Sequence, residues 1–139
     1  MIKLIDNELT IEEYLYLRDK VGWRRLSDSQ AKAAITNCLF NVKAVDEDGN
    51  VIGMGRIVGD GAVICYIQDL IVVPEAQGKK VGSMLITRLK DFVNEIKEDG
   101  TTMMLCLMCA KGREEFYLKQ DFIVRPNDNL GPGMILYMQ

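Results

Sequence analysis

The sequence predicts a mixed α/β fold of the α+β kind, a single domain over residues 1–139 with a central mixed sheet of about seven strands flanked by about four helices. Three observations predict it. Apolar residues recur with period two in some stretches and near 3.6 in others, which separates strands from helices. A long β-branched run, a glycine-containing turn and an amphipathic run follow one another between Ala62 and Ile96. Finally, 139 residues at 48% apolar content supply one core and leave no room for a second.

Taken in order, Ile2 to Ile5 is a short strand and Asn7 to Thr10 a turn. Thr10 with Glu13 makes a capping box, so a helix starts there, carries Tyr14, Leu15, Leu17, Arg18 and Val21, and ends at Gly22. After the linker Trp23–Leu26, one of Ser27, Asp28 or Ser29 caps a second helix with Ala31, Ala34, Ile35, Cys38 and Leu39. From Phe40 the period is two. A strand reaches the acidic turn Asp46–Asn50, returns from Val51 to Val58, turns at Gly59–Asp60–Gly61 and continues as a long strand from Ala62 to Val73, which Pro74 stops. Val81, Leu85, Leu89, Phe92, Val93 and Ile96 then fall on one helical face, and Gly100 ends that helix. Met103–Met108 reads as a buried strand and Lys111–Gln120 as a short helix. Phe122–Arg125 and Met134–Met138 read as closing strands across the loop Asn127–Gly133, which either turns the chain or lines a pocket.

A net charge of −3 and a pI near 5.0 speak against nucleic acid as a partner, because no basic run exceeds Lys79-Lys80 or Arg24-Arg25. The same charge mildly favours a cationic substrate. No apolar run approaches the roughly 20 residues that span a bilayer, and Met1–Asp6 lacks the apolar core of a signal peptide, so no membrane contact and a cytoplasmic setting are expected. The chain has no histidine, which removes Ser-His and Cys-His nucleophile pairs and the commonest metal ligand. Cys106 and Cys109 lie three apart on a strand and point to opposite faces, so no metal site is expected.

The stretch Pro74–Ser83 carries the chemistry. The first N–H groups of a helix lack internal partners and sit at the positive end of its dipole, which suits an anion. Gly78 and Gly82 leave room for a diphosphate, and Lys79 and Lys80 add charge. No P-loop string and no G-x-G-x-x-G is present.

Leu70-Ile71-Val72-Val73-Pro74 followed by Gln77-Gly78-Lys79-Lys80-Val81-Gly82-Ser83 resembles the acetyl-CoA motif of the GNAT superfamily of N-acetyltransferases, [QR]-x-x-G-x-[GA] after a V-x-P strand end. Gln77 and Gly82 match its ends, and Lys80 stands where its middle glycine belongs. Placed inside the helix, Lys80 needs no positive φ and aims its ammonium outward. Phe116-Tyr117-Leu118-Lys119-Gln120-Asp121-Phe122 is similar to the family's F-Y-x-K-x-G-F, with Asp121 for glycine, and Ala110 stands where many members have asparagine. The predicted order of elements is also that of the GNAT fold, so the likeness covers nearly the whole chain.

The resemblance implies acetyl-CoA as cosubstrate, direct attack of an amine on the thioester, backbone groups of Leu70, Ile71 and Val72 on the pantetheine arm, and residues 78–83 on the diphosphate. It implies Tyr117 as the acid that protonates the departing thiolate. Asp69, just before the cofactor strand, is the only base the sequence offers, acting through water, unless it caps a turn. Trp23, between the first two helices, either packs there or lies over the acceptor. Three activities stay open: acetylation of a small primary amine, acetylation of protein or peptide amino groups, and a non-catalytic CoA-binding regulatory module. Methionines near the carboxyl terminus suit a homodimer contact.

Overall fold

The computed structural model describes residues 1–139, in two compact units, Met1–Leu107 and Met108–Gln139. The first unit contains strands β1 (Lys3–Asp6), β2 (Phe40–Val45), β3 (Val51–Gly59), β4 (Ile64–Val72) and β5 (Met104–Leu107). Its helices are α1 (Ile11–Lys20), α2 (Asp28–Asn37) and α3 (Val81–Ile96), with a 3-10 turn at Pro74–Ala76. The second unit holds α4 (Glu114–Leu118).

The sheet runs in the order β1-β2-β3-β4-β5. Its first four strands are antiparallel neighbours and β5 joins β4 in parallel, reached by the crossover through α3. The sequence reading of about seven strands is corrected to five. Phe122–Arg125 and Met134–Met138 have strand-like composition but pair with nothing as strands. Apart from the half-buried Phe122, their side chains are exposed, Met134 by 86% and Leu136 by 80%. Side-chain bonds hold the intervening loop instead: Asn127 Oδ1 accepts from the N–H groups of Asn129 and Leu130, and Arg125 Nε donates to the Gly131 carbonyl at 2.6 Å. Such local bonds satisfy backbone groups that a ladder would otherwise need.

Two capping boxes start the amino-terminal helices as the sequence demands. Thr10 Oγ1 accepts from Glu13 N–H while Glu13 returns a bond to Thr10 N–H, and Ser27 with Gln30 repeats the pattern on α2. The apolar face of α3 buries Val81, Leu85, Ile86, Leu89 and Val93. It lies so close to β3 that a Cβ on Gly55 would meet Leu89 Cδ1 at 2.7 Å, and one on Gly53 would meet Leu85 Cδ1 at 3.0 Å. Side chains alternate across a strand, so Arg56, next to Gly55, points to the opposite face, where Nη1 donates to the Ala34 carbonyl of α2 at 3.1 Å. Helices therefore cover both faces of β3.

Two irregularities shape β4. Met54 pairs with Ile71 but Arg56 pairs with Gln68, so one residue too many lies opposite Gly55, and Asp69 takes φ +60. This is a β-bulge, which bends the strand. On its other side, β4 meets β5 only from Ile64 to Ile67, leaving residues 68–72 without a β5 partner.

The expectation for Lys80 is also corrected. It is the N-cap of α3, not an interior residue, and holds φ +66. Asp121, the other residue standing for a family glycine, sits at φ +73. Both positions want glycine because a left-handed backbone crowds a Cβ. Lys80→Gly should therefore stabilise the protein by about 1 kcal/mol and Lys80→Val should destabilise it by at least as much, read from urea unfolding midpoints. The reverse ranking would show that residue 80 leaves the left-handed region in solution.

Candidate functional site

The chain from β4 into α3 is built almost wholly from backbone. Val73 N–H returns to the Ile52 carbonyl at 2.9 Å, and the 3-10 turn Pro74–Ala76 redirects the chain. Gln77 folds its side chain back, Nε2 donating to the Val72 carbonyl at 3.1 Å, so the predicted binding residue closes the strand end. Gly78 takes φ +84 with open space where a Cβ would be. Lys79 and Lys80 are exposed, and no side chain caps α3. The first helical bond runs from Met84 N–H to the Lys80 carbonyl, so Val81, Gly82 and Ser83 form the first turn ahead of it. An uncapped helix start behind two left-handed residues fits a diphosphate, and the stretch Leu70–Val72 without a β5 neighbour fits a ligand that lies along a strand edge.

Asp69 occupies a different setting from the one a solvent-linked base needs. Its side chain is 0% exposed. Oδ1 accepts from Arg18 Nη1 at 2.7 Å, and Oδ2 accepts from the Tyr14 hydroxyl at 2.5 Å and from Arg56 Nε at 2.9 Å. Arg18 Nη2 continues to the Arg24 carbonyl at 2.9 Å. The two guanidinium groups lie 5.8 Å and 5.3 Å from the Tyr14 ring, and Trp23 lies 5.4 Å from Arg18. A fully buried carboxylate with both oxygens engaged is placed as a counter-ion, and this geometry does not favour proton abstraction by Asp69.

Burial, and then the bond to Asp69, push the Tyr14 hydroxyl up to about 12. For Arg56, burial works against the charge but the Asp69 carboxylate outweighs it, and the guanidinium is held more firmly protonated than usual. Trp23, predicted on position alone, thus joins a cluster whose other members, Tyr14, Arg18 and Arg56, sequence reasoning missed. The available signal was Tyr14 and Arg18 at i and i+4, an arginine on the buried face of α1.

Tyr117 lies in the second unit, on α4, edge-on to Phe116 at 5.0 Å and to Phe122 at 5.9 Å. Burial first, and the neighbouring Cys109 thiol second, raise its pKa to about 12. It is therefore protonated throughout the neutral range.

Residues 39–124 match the model of the acetyltransferase (GNAT) domain family. A GNAT family acetyltransferase from Streptococcus pneumoniae superimposes with a TM-score of 0.82 at 27% identity, covering 100% of this chain and 99% of its own. A probable acetyltransferase from meticillin-resistant Staphylococcus aureus gives 0.85 at 27% identity, covering 99% and 100%. A ycf52-like N-acetyltransferase of Prochlorococcus marinus is 27% identical over 124 residues, 87% of this chain and 67% of its own length. The chain belongs to the GNAT family. It is an acetyltransferase, and the family's cosubstrate is acetyl-CoA.

Removing the charge of Asp69 strands two buried guanidinium groups. Asp69→Asn should cost about 3–5 kcal/mol in urea unfolding, against less than about 1 kcal/mol for Asp19→Asn, whose pair with Arg25 is exposed on both sides. A small loss at Asp69 would mean that the cluster opens to water. Tyr14 and Tyr117 have folded pKa values raised from an ordinary 10 to about 12, so their protons contribute stability that is complete below pH 10 and lost as pH rises toward 12. A tyrosinate absorbance titration should show two tyrosines ionising near pH 12, together with loss of structure.

Proposed function

We propose that residues 1–139 act as one N-acetyltransferase domain that moves the acetyl group of acetyl-CoA to a primary amine of a small molecule by direct attack in a ternary complex. The observation that carries this reading is the continuous path from the β5-free stretch of β4, through Gly78 and Lys80, to the uncapped start of α3. The family match spans residues of both units, which supports a single working domain.

In this reading, backbone groups of Leu70–Val72 bind the pantetheine arm and one N–H polarises the acetyl carbonyl. The first turn of α3, with Gly78, Lys79 and Lys80, holds the diphosphate. The reaction forms an N–C bond and breaks the C–S bond, and the amine loses a proton while the thiolate gains one. No acyl-enzyme is needed, so the absence of histidine is no obstacle. Tyr117 supplies the thiolate proton, as the F-Y-x-K motif implies. From a pKa of about 12 to a thiolate near 8.5 that transfer is uphill by about 4.8 kcal/mol in the free protein, so binding has to favour the phenolate.

Asp69 is a positioning residue here. It fixes the bulge that carries Leu70–Val72. With Asp69 sealed, the amine enters already neutral. An alkylamine of pKa about 10.4 is neutral in about 1 molecule in 2,500 at pH 7, a deficit of about 4.6 kcal/mol. Consequently kcat/KM for an alkylamine should rise about tenfold per pH unit from 7 to 9. A flat profile over that range would restore an enzymic base.

The deciding experiment is calorimetric titration with CoA, followed by thiol release from acetyl-CoA with a panel of amines and peptides. Binding with amine-stimulated release is expected. No affinity at millimolar CoA defeats the reading, binding without release leaves a CoA-binding module, and release with peptides alone makes it a peptide acetyltransferase. Tyr117→Phe should lower kcat at least tenfold and leave CoA affinity within about twofold. Unchanged turnover would assign the acid elsewhere.

A further inference from the structure

The α1–α2 connection concentrates positive charge on a chain whose net charge is −3. Arg18 and Arg56 share the single carboxylate of Asp69. The loop adds Arg25, which stands beside Asp19 at 3.5 Å with both side chains more than half exposed. Carbonyls and aromatic faces also contact these two buried guanidinium groups but carry no formal charge, so Arg18 and Arg56 together exceed the charge of Asp69 by one.

One donor is also left over. Arg18 bonds through Nη1 and Nη2, whereas its Nε–H is buried and has no hydrogen-bond partner, although the side chain is only 10% exposed. A buried charged donor without an acceptor is disfavoured and marks a position for one. Trp23 lies over this guanidinium, belongs to a connection without regular structure, and is 38% exposed.

We propose that the acceptor carries an anionic group, a carboxylate or a phosphate, and that the Arg18–Arg25 segment binds it, with Arg18 Nε–H as the buried donor and Arg25 as the outer cation. The Trp23 ring shifts off Arg18 to admit the anion and then flanks the acceptor. An arginine edge presents donors in the fixed geometry that carboxylate and phosphate oxygens match. That an amine carries the anion follows from the reading above, whereas the anion site is tested without cofactor.

Trp23 is the only tryptophan, so its emission reports the contact with Arg18. At constant ionic strength, inorganic phosphate and sodium acetate should each change that emission saturably, and butylammonium chloride should not. Saturating CoA should leave the phosphate titration in place. Arg18→Lys keeps a cation for Asp69 but has no Nε–H, and should weaken phosphate at least tenfold. Where circular dichroism shows that variant unfolded, the exposed Arg25→Gln serves instead, with about a threefold loss. As acceptors, 4-aminobutyrate should show a KM at least tenfold below that of n-butylamine at comparable kcat. An emission change that is linear in anion, displacement of phosphate by CoA, anion affinity untouched by the folded variants, or equal KM values for the two amines would each overturn the proposal. Loss of acetyl transfer with saturable anion binding intact would instead count against the enzyme reading alone.

Discussion

The carboxylate of Asp69, clamped by Arg18 from α1 and Arg56 from β3, sets the geometry on which the rest of the molecule depends. Ion pairs taken out of water gain little net stability against an apolar core of equal volume, so their value lies in what they specify. Here the specification is local. Asp69 sits in a left-handed conformation that an aspartate adopts only at a cost, and the two guanidinium groups and the Tyr14 hydroxyl hold it there. That conformation is the bulge opposite Gly55. Without it, the residues of β4 beyond Asp69 would shift by one and exchange faces.

The bulge and α3 act on the same short stretch from opposite faces of the sheet. Gly53 and Gly55 let Leu85 and Leu89 approach the β3 backbone, which draws α3 down onto the strands. The apolar face of the helix is thereby committed to the core, while its first turn follows a connection of exposed residues. β5 stops opposite Ile67, so the half of β4 that leads into this turn has no strand on that edge. A surface built in this way offers peptide groups and a helix dipole, and needs no unusual side chain. It explains how a chain without histidine, and with its best-placed acid buried, belongs to a family of catalysts.

This division decides what could be read from the sequence. Thr10 and Ser27 announce their helices because a capping box is a local device, complete within four residues. The amphipathic run of α3 is equally local and its helix falls where it was expected, although Lys97 rather than Gly100 is its C-cap. The two terminal strand readings fail for the converse reason: a strand exists only with a partner, and neither Phe122–Arg125 nor Met134–Met138 contains information about what it pairs with. Lys80 was misplaced by one position, enough to hide that it caps α3 in the left-handed region. For the site, the cofactor stretch was legible as a motif. The Asp69 cluster was not, because its members lie 51, 55 and 13 residues from Asp69 along the chain and meet only once β3, β4 and α1 are packed.

Net charge is the clearest case of a property that sequence states correctly and structure redirects. A value of −3 spread over the whole chain describes the field at long range, and at physiological ionic strength that field decays within about 8 Å. Inside that distance an approaching molecule meets the local arrangement. Around Trp23 it is arginines from α1, β3 and the loop against a carboxylate already shared by two of them. The mild preference for cations that composition implies would therefore act on encounter, while the groups proposed to hold a bound molecule beside Trp23 have the opposite sign. In the proposed reading selection rests on that short-range field, which exists because the two arginines that fix Asp69 share its one negative charge.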